Sequence, residues 1–129
     1  MNKSTMVYLA YKFTGNPTEN TKQERKMAYE LMKRHPDWTV LCPHYAIDSM
    51  LDGTVNWDGK DNYTKWRRLQ AGEMSLGFID KTDILVLGCE PCYQQSAGVT
   101  WEYIFTKFLN KSYRKDNPIK IMTYKEALE

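Results

Sequence analysis

The chain has 129 residues, of which 42% are apolar and 26% charged, and its formal net charge is +2. This length suits one globular domain, the charge is too small for the basic footprint of a nucleic-acid-binding protein, and the apolar runs are too short to span a membrane. No segment has the pattern of a secretory signal, and an odd count of three cysteines argues against a disulfide framework. We therefore expect one cytoplasmic domain over residues 1–129, without nucleic-acid or membrane partners.

The first half of the chain alternates strand and helix patterns. A β-branched and aromatic run at residues 5–10 predicts a buried strand. Apolar residues then recur at helical spacing from about Asn20 to residue 35, with Asn20 or its neighbour placed as the cap. Residues 38–41 predict a second strand, which ends before a proline that cannot donate to a central ladder. The polar segment 44–62 is long for a connection and is typical of a lid.

The second half continues the alternation. Residues 63–79 carry apolar side chains on one helical face, and residues 83–87 form a nearly continuous apolar run that is typical of a central parallel strand. Apolar residues at helical spacing from Trp101 to Phe108 predict a third helix, and residues 119–122 a last strand. The order of elements predicts an α/β domain with an open parallel sheet of about four to five strands and helices on both faces.

Ligands of open α/β sheets bind outside the carboxyl ends of the strands, near the point where the strand order reverses. We therefore expect the site in the loops that follow the first three strands. The polar, aromatic and glycine residues there are Tyr11, Phe13, Gly15, Cys42, His44, Cys89, Cys92, Ser96 and Gly98.

The segment from Ser96 to Glu102 opens the third helix. A Ser-x-Gly turn at this point presents free N–H groups and a hydroxyl, which suit a phosphate, and Glu102 one turn further could reach the rest of a nucleotide. The alternatives are purely local: Ser96 as a helix cap, Gly98 as a turn residue, and Glu102 as an acid favoured by the helix dipole in the first turn. His44 has two interpretations as well, a ring that satisfies local carbonyls or one that contacts substrate.

The cysteines leave three alternatives open. The pair Cys89 and Cys92 has redox-motif spacing, but the predicted helix begins several residues later, away from the pair. Cys42 and His44 end a neighbouring strand, so the four side chains could also form a zinc site. The third interpretation, thiols in a pocket wall, requires no metal and no cofactor, and we adopt it as the expectation.

Four short segments resemble a known family. The stretches "VYLAYKFTGN", "CPHY", "IDKTDILVLG" and "QSAGVTWEY" are similar to motifs of the nucleoside 2-deoxyribosyltransferase superfamily, which includes the 2'-deoxynucleoside 5'-phosphate N-hydrolases. The resemblance covers about Met6 to Phe108. It implies a single Rossmann-like or flavodoxin-like domain that cleaves or exchanges the bond between a base and a deoxyribose, as a homodimer or larger homo-oligomer.

The resemblance also implies roles for individual residues. Glu102 maps onto the carboxylate nucleophile, and Ser96 onto a serine that contacts the 5'-phosphate in the nucleotide hydrolases. Tyr8 and the loop from Phe13 to Gly15 match the segment that packs round the sugar and base, and His44 lies in a loop that can touch substrate.

One expected acid is missing from the sequence. The superfamily has a general acid/base on the helix before the third strand, at the position of Ser75 in this chain, and the nearest acid there is Glu73. We take Glu73 as the candidate second catalytic residue, with Asp58 and Asp61 as possible replacements. The sequence thus predicts a nucleotide-binding N-glycosidase or deoxyribosyltransferase, and the alternative is a non-catalytic nucleotide-binding protein, a sensor or sponge.

Overall fold

The computed structural model describes residues 4–13, 15–44, 65–92 and 94–129, with the backbone alone for residue 17 and residues 65–71. The elements in chain order are β1 (Thr5–Ala10), α1 (Pro17–Arg34), β2 (Trp38–Leu41), α2 (Lys65–Asp80), β3 (Ile84–Leu87), α3 (Ala97–Lys111), β4 (Lys120–Thr123) and α4 (Tyr124–Leu128). None of the helices within these ranges is long and apolar enough to cross a membrane.

The four strands form one parallel sheet in the order β2-β1-β3-β4. The register pairs Val7 of β1 with Val40 on one side and with Ile84 on the other. The predicted open parallel sheet is therefore confirmed. Because the chain passes from β1 outward to β2 and then returns to β3, the strand order reverses between β1 and β3, and the carboxyl ends of these two strands flank the crevice.

Helices cover both faces of the sheet, as the sequence predicted. On one face, α1 and α4 pack on β1 and β3 through a core of Val7, Leu9, Met27, Ala28, Leu31, Ile84, Val86 and Ala127. On the other face, α2 and α3 pack through Tyr8, Ala10, Ile79, Leu85, Val99, Leu109 and Ile119. Successive residues of β1 point to opposite faces, so Tyr8 belongs to the second core and its neighbours to the first.

Helix α1 begins earlier than the sequence analysis predicted. Asn16 is the cap, and its side-chain oxygen accepts a hydrogen bond from the Glu19 N–H at 3.2 Å. Pro17 is accepted at the first helical position because the N–H that it lacks has no partner within the helix. The predicted cap, Asn20, lies inside the helix, where its side-chain amide donates to the Phe13 carbonyl at 3.2 Å and ties the loop after β1 to α1.

Gly88 directly follows β3 and is a point of close packing between β1, β3 and α1. Its N–H donates to the Ala10 carbonyl at 2.8 Å. A Cβ at this position would lie 2.9 Å from Met27 Cε, 3.0 Å from the Ala10 oxygen and 3.0 Å from Tyr11 Cδ1. Only a residue without a side chain lets the ends of β1 and β3 approach this closely.

We expect Gly88→Ala to lower the free energy of unfolding by about 1–3 kcal/mol, because the added methyl group overpacks this contact. Gly77→Ala is the matched control: a Cβ there meets no atom within 4 Å, and alanine in a helix interior is favoured by about 0.5–1 kcal/mol. Urea unfolding of both variants tests this. Equal stability of the two would contradict the close packing.

Candidate functional site at the carboxyl edge of the sheet

Glu102 lies on α3 with its carboxyl group turned into the protein. Helix α3 begins at Ala97, so Glu102 is in the second turn and not, as the sequence analysis had it, in the first. The helix dipole therefore does not account for an acid at this position. Although the residue as a whole is half-buried, Oε2 is fully buried, and within the described residues it has no hydrogen-bond partner. Burial raises the pKa of Glu102 to about 7, and the nearby Tyr8 hydroxyl limits the rise.

Tyr8 on β1 stands beside Glu102. Its side chain is completely buried, and its hydroxyl has no partner in hydrogen-bonding geometry within the described part of the chain. Burial, together with the negative charge of Glu102, raises the pKa of Tyr8 well above its usual value, so the phenol stays protonated. A buried polar group without a partner costs about 1–3 kcal/mol. Two such groups side by side therefore mark a place where a polar ligand can supply the missing hydrogen bonds.

Ser96 and Gly98 lie at the amino end of the same helix. Ser96 is the cap of α3, since its Oγ accepts from the Val99 N–H at 3.2 Å. Its own N–H donates to the Cys92 carbonyl at 2.6 Å, which anchors the loop after β3. Gly98 is exposed, with open space where a side chain would be. The local role of Ser96 as helix cap is confirmed, and within the described residues its hydroxyl donates no hydrogen bond.

His44 is buried just after β2 and joins three parts of the chain. Nδ1 lies 3.2 Å from Thr21 Oγ1 on α1, and Nε2 lies 3.1 Å from the Tyr11 carbonyl oxygen after β1. Because a carbonyl can only accept, the hydrogen lies on Nε2, and Nδ1 accepts from the Thr21 hydroxyl. The edge of the His44 ring meets the Phe13 ring, with 5.0 Å between centroids. The interpretation of His44 as a ring that satisfies a local carbonyl is confirmed.

The loop after β1 contains the predicted residues Phe13 and Gly15. Phe13 is half-buried against His44, while Gly15 is exposed and has a φ of 98°, in the left-handed region that glycine occupies freely. Phe13 is thus held at the crevice, and Gly15 turns the chain toward the cap of α1.

Glu24, a residue that the sequence analysis did not select, is the most deeply buried acid described. Its exposure is 0%, and Oε2 lies 3.2 Å from His44 Nε2. Neither carboxyl oxygen has a partner in good hydrogen-bonding geometry within the described residues. Burial raises the pKa of Glu24 to about 9 and lowers that of His44 to about 4. Both side chains are therefore uncharged at neutral pH.

Helical spacing alone could have revealed this acid. Glu24 lies three and four residues before Met27 and Ala28, which face the core of the sheet, and three residues after the buried Thr21. Positions three and four apart share one face of a helix. An acid on the apolar face of a predicted helix therefore indicates a candidate functional residue.

Glu24 and Glu102 approach the crevice from opposite faces of the sheet. Glu24 comes from α1 and Glu102 from α3, and the negative charge of Glu102 contributes to the raised pKa of Glu24. Two carboxyl groups in one environment of low polarity oppose the simultaneous ionisation of both. Ionisation of Glu102 therefore favours the protonated form of Glu24.

The predicted second acid, Glu73, lies elsewhere. Its side chain is exposed on α2, and within the described residues no hydrogen bond or ion pair joins it to the other site residues. Ser75, two positions along the helix, is buried and close to the Tyr8 hydroxyl. A separation of two residues turns a side chain to nearly the opposite side of a helix. A catalytic role of Glu73 stays a prediction, and Asp58 and Asp61 lie outside the described residues.

The three cysteines are free and half-buried. Burial raises the pKa of Cys42 to about 12 and also raises that of Cys89, which opposes formation of a reactive thiolate. In the ranges that the structure describes, no three His, Cys, Asp or Glu side chains gather closely enough to hold a metal ion. Cys42 packs on the first core and Cys89 on the second. These are the contacts of thiols in the wall of a crevice.

Comparison of the chain with protein-family models, with curated proteins and with solved structures finds no match in any of the three.

The burial of Glu24 has a consequence for stability as a function of pH. An acid whose pKa is raised in the folded chain binds more protons folded than unfolded, so stability falls as pH rises from about 4.5 toward about 9. Glu24→Gln keeps the shape and removes the ionisation. We expect its melting temperature to match that of the unaltered protein near pH 5 and to exceed it at pH 8, by an amount equivalent to roughly 4 kcal/mol.

Glu30→Gln is the matched control, a partly exposed glutamate further along the same helix. Thermal unfolding of the three proteins from pH 5 to pH 9 provides the measurement. A gain in the Glu24 variant that does not change with pH would show that this carboxyl ionises as freely as one in water.

Proposed function

We propose that this chain is an N-glycosidase or deoxyribosyltransferase that cleaves or exchanges the base–sugar bond of a deoxynucleoside 5'-monophosphate or a related nucleotide, with Glu102 as nucleophile. The observation that carries the proposal is the buried, unpartnered Oε2 of Glu102 beside the unpartnered hydroxyl of Tyr8. These groups lie at the edge of the sheet where open α/β domains bind ligands. The short motifs that resemble the nucleoside 2-deoxyribosyltransferase superfamily support the same conclusion.

The chemistry suits this environment. An N-glycosidic bond breaks through an oxocarbenium-like state, which a carboxylate below C1' can capture as a covalent glycosyl-enzyme. The bond electrons leave with the base. Water then displaces Glu102 in hydrolysis, or a second base displaces it in transfer. With a pKa of about 7, Glu102 is ionised in a substantial fraction of molecules at neutral pH, and its burial leaves the carboxylate poorly solvated and reactive.

A 5'-phosphate is supported by the amino end of α3. The helix presents backbone N–H groups and the Ser96 hydroxyl at the same edge as Glu102, and helix amino ends attract anions. Lys12, in the loop after β1, adds a positive charge close enough to lower the pKa of Cys89. The sequence resemblance to the branch with serine at this position supports the same substrate class.

Two other expectations belong to the proposal. A homodimer or larger assembly is supported by large apolar side chains on α3 that are exposed in the single chain, among them Trp101, Ile104 and Phe108. A cytoplasmic location agrees with free cysteines and with the nucleotide substrate.

A second candidate function is binding without catalysis. It is favoured by the exposed side chain of Glu73 and by the serine at position 75, where the resemblance leads one to expect an acid. Without a proton source at the base, departure of the leaving group is slow. A protein of this kind would keep the nucleotide pocket and act as a sensor or sponge.

Release of free base distinguishes the two candidates. We expect the protein to release base from one or more deoxynucleoside 5'-monophosphates in a panel of nucleosides and monophosphates, and Glu102→Gln to lose at least about 1,000-fold in rate because an amide cannot act as the nucleophile. Chromatography of the incubated panel gives the measurement, with Glu30→Gln as control. If no base is released while a nucleotide still raises the melting temperature, the binding protein is the correct assignment.

The same panel tests Glu73. If Glu73 is the second catalytic residue, Glu73→Gln lowers base release by at least about 100-fold, the usual size of an acid/base contribution. Unchanged release in this variant would remove Glu73 from the site.

The contact between Tyr8 and Glu102 predicts a change in pH dependence. Because the nearby Tyr8 hydroxyl lowers the pKa of Glu102, Tyr8→Phe should raise that pKa and move the acidic limb of the profile of kcat/KM against pH to higher pH. Tyr113→Phe serves as the control, since Tyr113 is 79% exposed at the far end of α3. An acidic limb that does not move would show that the two groups do not interact in the free enzyme.

A further inference from the structure

We propose that Glu24, positioned by His44, is the acid that protonates the departing base and the base that later receives a proton from water. This inference rests on the proposed function and supplies the proton source that the chain lacks at Ser75. It concerns a residue outside the motifs that carry the resemblance.

The fold gives no other reason for an acid at this position. Glu24 lies on the core face of α1, in line with Met27 and Leu31, and its exposure is 0%. A buried polar group without hydrogen-bond partners lowers stability, whereas an apolar side chain of similar size at the same position would not. Both oxygens of Glu24 also lack a partner in hydrogen-bonding geometry within the described residues. A buried polar group that lowers the free energy of unfolding and has unused hydrogen-bonding capacity is typical of a functional site.

His44 leaves the proton of Glu24 available. Its Nδ1 is occupied by the Thr21 hydroxyl, and Nε2–H donates to the Tyr11 carbonyl, with Glu24 Oε2 at 3.2 Å but outside hydrogen-bonding geometry. The ring therefore has no free lone pair with which to take the carboxyl proton. That proton lies on the carboxyl group, and Oε1, without a partner among the described residues, can present it to a ligand.

His44 also stabilises the group that remains after proton transfer. Once Glu24 has become a carboxylate, the polar Nε2–H group, with Nε2 at 3.2 Å from Oε2, is close enough to stabilise the new charge electrostatically. A dipole that is fixed before the reaction needs no reorganisation as charge develops. The Tyr11 carbonyl and Thr21 hold the ring at this point, and the Phe13 ring packs against it. His44 is thus a positioning residue.

The surrounding charges divide the roles between the two carboxyl groups. Among the described residues, the groups that affect the pKa of Glu24 are the backbone N–H of His44, the Cys42 thiol and the Glu102 carboxylate, and the charge of Glu24 in turn raises the pKa of Tyr8. Of these, the Glu102 carboxylate favours the protonated form of Glu24, whereas the His44 amide and the Cys42 thiol oppose it only in part. In the molecules whose Glu102 is ionised, the site therefore combines a carboxylate nucleophile with a protonated acid, the division of roles that two-carboxylate glycosidases require.

The proton balance closes over the two steps. In the first, Glu102 bonds to C1', the electrons of the C1'–N bond pass to the base, and the Glu24 proton moves to that base. In the second, a water oxygen bonds to C1', the Glu102–C1' bond breaks, and a water proton returns to Glu24. The net reaction adds one water across the base–sugar bond, and both acids regain their starting states.

The test uses two leaving groups. An ordinary purine deoxynucleoside 5'-monophosphate needs a proton on the departing base, whereas its N7-methylated counterpart releases a neutral base without one. We expect Glu24→Gln to reduce kcat at least about 100-fold on the ordinary substrate and less than about 10-fold on the methylated one. Glu102→Gln should lose activity on both, and Glu30→Gln on neither. The alkaline limb of the pH profile should also disappear in Glu24→Gln with the ordinary substrate.

Other results overturn the inference in distinguishable ways. An equal loss on both substrates would show that Glu24 acts only through structure, and full activity on the ordinary substrate would remove it from the reaction. Retention of the alkaline limb in Glu24→Gln would assign that limb to another group. No release from either substrate by the unaltered protein would overturn the proposed function, and the role of Glu24 with it.

Discussion

Strand β1 pairs with both β2 and β3, and this double pairing determines where the polar groups of the site can lie. The strand is buried on both faces from Val7 to Ala10. Its last residues are therefore held by packing on both faces and by pairing on both sides, and the loop that follows carries Tyr11 and Phe13 to the reversal point of the sheet. Gly88 allows the end of β3 to approach this loop closely. The order of the strands in the sheet therefore determines the position of the crevice between the ends of β1 and β3.

The rigid core also explains how the site tolerates unfavourable groups. Buried hydroxyl and carboxyl groups without partners each cost free energy, and in this chain they occur together on Tyr8, Glu24 and Glu102. Each is attached to an element that is anchored independently, by strand pairing for β1 and by apolar packing for α1 and α3. The unpartnered groups therefore lower the stability of the whole domain without unfolding the segment in which each of them lies.

The sequence predicts the fold well because its signals are local. Continuous apolar strands such as residues 84–87 and the apolar spacing of α3 define elements whose order permits few topologies. The start of α1 was missed because Asn16 and Pro17 lie within a stretch that has the composition of a loop, although Asn before Pro is also a good cap. Local sequence signals of this kind predict that a helix is present, but they do not fix its exact first residue.

The site was less predictable because its contacts are not local. Short motifs indicate Glu102 and His44, but nothing in those motifs indicates that Glu24, on the helix before β2, lies close to His44. The sequence predicts the second acid on the helix before β3, where Glu73 is exposed, with Asp58 and Asp61 as replacements that lie outside the described residues. Only the sheet order brings α1 beside the loop after β2. A contact between two such elements depends on the topology of the sheet, and the spacing of residues in the sequence does not reveal that topology.

The positions of the two acids on opposite faces of the sheet have a chemical consequence. Glu102 reaches the crevice from α3 and Glu24 from α1, so a ligand held between the strand ends would have one carboxyl group on each side. A glycosidase needs its nucleophile at the sugar carbon and its acid at the leaving group, and these two atoms are the ends of the bond that breaks. Two acids on one helix would share one side of the ligand. A doubly wound sheet, with helices on both faces, can supply one group from each side, and the reversal point beside β1 is where those two sides meet.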